Sequence, residues 1–338
     1  MSAQALLAEV LALQARIRDQ VVAACERDSA HALAAVDGED ADGDTIFAID
    51  RVGEALLVDG LAEAARAHGG IRLVAEGIDP AGVVLPHGAD PAGVRWRVIV
   101  DPIDGTRGLM YQKRPAWILA GIAPERGPAT GLHDIVAAAM TEIPLVKQHL
   151  SDRLWAVRGA GVRAERCDRL SGRVQAFAPR PSGATSVAQG FAQIARFFPG
   201  ARDVLGAIDD ALMRELLGPP KPGKAPCFED QYICTGGQLA ELILGHDRFT
   251  ADLRAHLQDL LRAGGHPSGL CCHPYDLCTE LIAREAGVVV AGPDDRPLTA
   301  PLWCAPDVSW CGYANAALHR DIAPRLRRLL AERGIACA

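Results

Sequence analysis

A chain of 338 residues is long enough to bury one large core or two medium ones. Its 49% hydrophobic and 23% charged content is that of a soluble globular protein, and a net charge of −7 with no basic run argues against an electrostatic nucleic-acid binder. No apolar run approaches membrane-spanning length, and residues 1–27 lack a basic segment followed by an apolar core and cleavage site. No membrane partner is therefore expected, and the chain is read as cytoplasmic.

Leu6, Leu7, Val10, Leu13, Ile17 and Val21 recur at helical spacing and predict an amphipathic first helix. Residues 37–44 (DGEDADGD) are an acidic, turn-rich loop, followed by an extended piece over 45–49 that ends at Asp50. A second helix is predicted from Asp50 to about Ala67, closed by His68-Gly69-Gly70. Residues 71–75 form a strand that delivers Glu76-Gly77. Residues 95–100 form another, which must stop at Asp101-Pro102-Ile103-Asp104-Gly105-Thr106, because Pro102 has no ladder N–H and Gly105 permits a sharp turn. Two carboxylates thus leave a strand end together, with a glycine N–H and a hydroxyl behind them. Such oxygens suit a hard divalent cation, and the donors that follow suit a phosphate. The plainer reading of the same stretch is a strand-to-helix turn with a capping Asp.

Strands are predicted over 116–123, 134–140 and 154–161, in keeping with a large meandering sheet covered by helices. Residues 190–198 and 203–217 look helical, and the proline-rich 218–224, with Lys221 and Lys224, reads as a solvated connector. Cys234-Thr235-Gly236-Gly237 opens a helix over 238–244, ahead of an extended piece from His246. In the last third, Leu277, Leu281, Ile282 and Ala286 give one helix face, with Asp276 at the N-cap position and Gly287 at C′. A strand over 288–290, another near 310–315 and a terminal helix over 321–333 complete the chain. The ten cysteines form no paired C-x-x-C units. Buried reduced thiols are their commoner use, beside the alternative of zinc ligation by Cys272, His273 and Cys278.

Asp101-Pro102-Ile103-Asp104-Gly105-Thr106, and Tyr275-Asp276 before a helix ending Glu285-Ala286-Gly287, resemble in order the two signatures of the inositol monophosphatase superfamily of Mg²⁺-dependent, lithium-sensitive phosphatases. Asp44 and Asp50 resemble the spaced aspartates of that family's first turn, and Glu76 its metal-binding glutamate. Phe47 and Gly77 depart from it, standing where a threonine and a second glutamate are usual, and Tyr275 replaces a tryptophan. The resemblance implies a layered αβαβα sandwich of the inositol monophosphatase and fructose-bisphosphatase type. An N-terminal lobe (1–165) would carry most ligands, and a C-terminal lobe (166–338) would carry Asp276, with 170–226 idiosyncratic.

It further implies a phosphoric monoester hydrolase using two or three Mg²⁺ ions. Glu76, Asp101 and the carbonyl of Ile103 would hold one ion, and Asp101, Asp104 and Asp276 the second. Thr106, helped by Glu76 and with Asp50 in the catalytic set, would orient the attacking water, and the Gly105 and Thr106 N–H groups would cradle the phosphate. The implied partner is a small phosphorylated sugar or cyclitol, attacked in line without a phosphoenzyme, and the implied assembly a homodimer. Arg107, Asp247, Arg248 and Asp252 are candidates for the rest of the substrate. Arg107-Gly108-Leu109 also resembles a Lys-Gly-Phe of the superfamily's bisphosphate nucleotidases. A silent binding protein that keeps the fold is a further alternative, motivated by Phe47 and Gly77.

Overall fold

The computed structural model describes residues 2–39, 45–79, 81–265 and 269–335. The chain opens with a long helix, α1 (Ala3–Arg27), and one helical turn, α2 (Ala30–Leu33). A two-stranded antiparallel ribbon follows, β1 (Val36–Glu39) with β2 (Thr45–Phe47), and then α3 (Glu54–His68). The expected apolar stripe of α1 is buried from Leu6 to Val21. Gln14 docks the helix by donating to the carbonyls of Ile118 and Ala139 at 3.2 and 3.1 Å while accepting from Thr141. α3 ends where Gly69 takes φ +93°, a left-handed C-cap that favours glycine.

The first sheet is built from β3 (Ile71–Ala75), β4 (Val83–Leu85) and β5 (Trp96–Asp104). After the short α4 (Thr106–Met110) come β6 (Ala116–Pro124), β7 (Ala137–Ile143), β8 (Leu150–Val157), β9 (Val162–Asp168) and β10 (Val174–Phe177). Their order is β10-β9-β8-β7-β6-β5-β3-β4, antiparallel except for β3 beside β5. The remaining elements are β11 (Phe191–Ile194), α5 (Arg202–Leu217), α6 (Thr235–Ile243), β12 (Asp247–Asp252), α7 (Gln258–Ala263), α8 (Glu280–Ala286), β13 (Val289–Ala291), β14 (Trp310–Tyr313) and α9 (Ala316–Ala331). Four of them form a second sheet in the order β11-β12-β14-β13.

The layers follow from which faces are apolar. α1 and α3 cover one face of the large sheet and enclose one core. α6 and α8 fill the space between the two sheets, and α5 and α9 close the far side of the small one, enclosing a second core. The result is the αβαβα order expected from the sequence. No helix among the described residues is long and apolar enough to cross a membrane.

Several local expectations change: the strand expected over 154–161 lies over Leu150–Val157, the terminal helix over Ala316–Ala331, and three more follow. Residues 191–194 are a strand, not a helix: β11 lies parallel to β12, with Ala192 opposite Phe249 and Ile194 opposite Ala251. An open sheet edge next to a half-apolar segment outweighs its helical pattern. The strand expected over 134–140 lies over Ala137–Ile143, behind a 3₁₀ turn at Leu132–Asp134. The last change is at Pro102, where β5 does not stop, and it builds the site.

Candidate active site

Within β5, Asp101 pairs with Leu119 and Asp104 with Trp117 on β6, so Pro102 and Ile103 stand opposite the single residue Ile118. Side chains three apart on a regular strand point to opposite faces. The extra residue of the bulge returns Asp104 to the face of Asp101. Proline is tolerated there because a bulge leaves a residue outside the ladder. Gly105 then takes φ +96°, and a Cβ there would lie 3.0 Å from that of Cys234, so both the turn and the close approach call for glycine.

Asp276 arrives from the other side of the cleft, in the turn before α8. Helical spacing alone reads it as the cap of that helix, and the resemblance as a metal ligand; α8 starts at Glu280, and the Asp276 carboxylate reaches back to accept from the His273 N–H at 2.6 Å. Asp101, Asp104 and Asp276 each offer a carboxylate oxygen, and these oxygens lie within 4.8 Å of one another. Asp101 and Asp104 are 2% and 6% exposed. Glu76, at the end of β3, lines the same cleft, as do Ile103, Gly105, Thr106 and Arg107.

The electrostatics are those of like charges gathered out of water. Burial pushes the Asp101 carboxyl well up, and the charges of Glu76, Asp104 and Asp276 push it further. Burial raises Asp104 to about 6, against the pull of the Gly236 N–H, the Cys234 thiol, the Thr235 N–H and the Arg254 charge. Asp276 rises to about 7 through burial and the charge of Asp104. Asp104 is fixed where the chain enters α6, accepting from the Gly236 and Thr235 N–H groups. These oxygens fit a hard divalent ion, since the donor set is carboxylate and a cation among them would relieve their mutual repulsion. Among the described residues no other group of three such side chains has this spacing, and Cys272 and Cys278 are separate buried thiols.

Thr106 Oγ lies 2.8 Å from Asp50 Oδ1 and 2.8 Å from the Ile103 carbonyl oxygen. One proton cannot serve both, and the charged carboxylate is the stronger acceptor. Asp50 is itself oriented by the Phe47 N–H at 2.8 Å. The hydroxyl is thus paired with Asp50, one of the three residues of the expected catalytic set. Gly77 takes φ +74° directly after Glu76, a turn in which a second glutamate would be strained. Asp44 lies outside the described residues.

The four substrate-side candidates fall in different places. Arg107 lines the cleft, with its guanidinium 5.6 Å from the Phe47 ring and 5.3 Å from that of Phe198. Asp247 and Arg248 are not among the described residues that line it. Asp247 is buried on β12, accepts from Thr250 and Gln193, and is pushed up to about 7 by burial. Arg248 holds the carbonyls of Ser186, Ala188 and Gln189. Asp252 is 1% exposed and engaged by Arg254. The strand that carries them packs its charges into the protein. Sequence reasoning missed Arg254, Phe197 and Phe198, all of which line the cleft. Nothing in their local spacing marks them.

No protein-family model and no curated protein matches the chain in sequence. Solved structures do match. The chain is similar to fructose-1,6-bisphosphatase of Leishmania major in holo form, with TM-score 0.68, 12% identity, and 96% of this chain and 93% of that one covered. It is also similar to the extragenic suppressor protein SuhB of Bartonella henselae, with TM-score 0.60, 15% identity, and 94% and 98% covered. The fold is that of the inositol monophosphatases and fructose-bisphosphatases. Inositol monophosphatase II of Staphylococcus aureus shares the inositol monophosphatase fold at TM-score 0.59 and 16% identity, with 98% of this chain and 96% of that one covered.

Proposed function

We propose that this chain is a Mg²⁺-dependent phosphomonoesterase acting on a small phosphorylated sugar or cyclitol. The observation that carries this reading is the convergence of Asp101, Asp104 and Asp276 within 4.8 Å in one cleft, with Glu76 beside Asp101. Glu76, Asp101 and the Ile103 carbonyl would hold one ion, and Asp101, Asp104 and Asp276 another. Bound there, such ions would lower the pKa of a water and neutralise charge developing on the phosphoryl and leaving oxygens. The likeness of fold to phosphatases supports the reading.

The chain's own residues supply the rest. Thr106 gives its proton to Asp50 and so keeps lone pairs free to accept from an attacking water. Asp50, held by the Phe47 N–H, fixes that orientation. Replacing Thr106 with Ala is expected to lower kcat by about 10²-fold or more, the usual worth of a positioned proton acceptor. Calorimetric titration with Mn²⁺ should show the metal affinity little changed. A variant that kept full kcat would remove Thr106 from the chemistry.

The function is tested by phosphate release from inositol monophosphates, sugar phosphates, fructose bisphosphate and adenosine bisphosphate with added Mg²⁺. Release that stops with chelator is expected, strongest on a cyclitol or sugar ester. Strongest release from adenosine bisphosphate would move the assignment to a bisphosphate nucleotidase. No release from any member of the panel would leave a binding protein that keeps the fold.

A further inference from the structure

The four acids of the cleft share it with one nearly buried cation. Arg254 follows β12, and Asp252 Oδ1 and Oδ2 accept from its Nε at 2.9 and 3.0 Å. Its Nη2 also donates to Asp252, and its Nη1 donates to the Leu270 carbonyl at 2.8 Å. The guanidinium lies 4.6 Å from the Phe197 ring centre and 5.2 Å from that of Phe198. That wall is itself fixed, because Arg202 donates to the carbonyls of both phenylalanines.

A guanidinium carries five N–H donors. The described contacts of Arg254 use one on each of its three nitrogens, which leaves one on Nη1 and one on Nη2. The cleft it lines also contains Asp101, Asp104 and Asp276. Its charge is felt at two of them, pulling the carboxyls of Asp104 and Asp276 down against burial. Beside a site built to gather cations, a permanent cation is counterproductive, since it repels the very ions the acids attract. The conflict is resolved when an anion completes the site, because a phosphoryl group is attracted both to the ions and to the guanidinium.

We propose that Arg254, locked by Asp252 and braced by Phe197 and Phe198, directs its two remaining N–H groups at the phosphoryl group held in the cleft. The inference rests on the phosphomonoesterase reading. It assigns Asp252 a role through Arg254, and it couples the two ligands: metal ions are held less tightly by the free protein than by the protein carrying phosphate.

The test is calorimetric and needs no turnover. Mn²⁺ alone, and then inorganic phosphate in the presence of Mn²⁺, are titrated into the full chain and into Arg254→Gln. A second variant, Arg254→Gln with Asp252→Asn, leaves no lone buried acid and guards against a failure to fold. Phosphate is expected to bind at least about tenfold more weakly to both variants, the worth of a charged hydrogen bond. Mn²⁺ alone should bind at least as tightly as to the parent, and severalfold tighter to the single variant. Arg254→Lys, which keeps the charge without the fork, should recover part of the phosphate affinity. Phosphate binding that is unchanged, or that weakens together with Mn²⁺ binding, overturns the proposal, since a purely structural role would move both in the same direction. A parent chain that binds no Mn²⁺ overturns the phosphomonoesterase reading, and this inference with it.

Discussion

Asp101→Asn is expected to remove phosphate release almost completely, by about 10³-fold or more in kcat/KM, while the protein stays folded. Asp101 is the carboxylate most burdened by its neighbours, raised by burial and then by Glu76, Asp104 and Asp276. In the proposed arrangement it would also be the carboxylate shared by two ions. Loss of a metal-ion contribution of several kcal/mol corresponds to about three powers of ten in rate. Folding should survive because the asparagine side-chain oxygen can still accept the Ile103 N–H, now held at 3.0 Å. In the metal-free state the variant should melt higher than the parent, because one of several mutually repelling charges is gone. Phosphate release, Mn²⁺ calorimetry and a thermal melt in chelator read the three effects. Activity within tenfold of the parent would show that the cluster is not where phosphate is hydrolysed.

The cleft is legible in the sequence where chemistry and backbone geometry are written in neighbouring residues. Asp-Pro-Ile-Asp-Gly-Thr at the end of a β-branched run locates five of the lining residues, and the order of two motifs identifies Asp276. Taken by itself, the proline reads as a stop. A bulge depends on the partner strand, and nothing between 101 and 104 records that Ile118 alone stands opposite two residues. Asp276 looks like a helix cap because its neighbours form a helical face. That its carboxylate accepts from His273 instead is decided by where the turn packs. The same holds at 191–194, where parallel pairing with β12 makes a strand of a helical pattern. Arg254 and the two phenylalanines are not visible because they act as a unit joined across more than fifty residues. A cation–ring contact at that separation leaves no local spacing to find.

The metal-free protein is expected to lose stability as pH rises from about 4 to about 7, and Mg²⁺ should restore it most at the upper end. Asp104 and Asp276 have folded-state values near 6 and 7 against an ordinary 3.8. Between those limits the folded chain binds more protons than the unfolded one, so the stability slope with pH is negative. The share due to these two flattens above 7, where both states have lost their protons. A tenfold difference in proton affinity is worth about 1.4 kcal/mol, so the pair amounts to several kcal/mol and several degrees of melting temperature. Burial raises Asp209 to about 6 and Glu142, Asp247 and Glu280 to about 7, so these groups add to the same slope. They lie outside the carboxylate cluster, and only the share due to the cluster should vanish with bound metal. Melting curves at pH 5 and pH 8, with chelator and with Mg²⁺, therefore separate the two contributions. A gain on adding Mg²⁺ is expected at pH 8 and should shrink toward zero at pH 5, where protons already neutralise the acids. In Asp276→Asn the gain should be largely lost at both values, with a higher melting temperature in chelator at pH 8. A Mg²⁺ gain equal at both pH values would mean that the ion binds somewhere other than among these carboxylates.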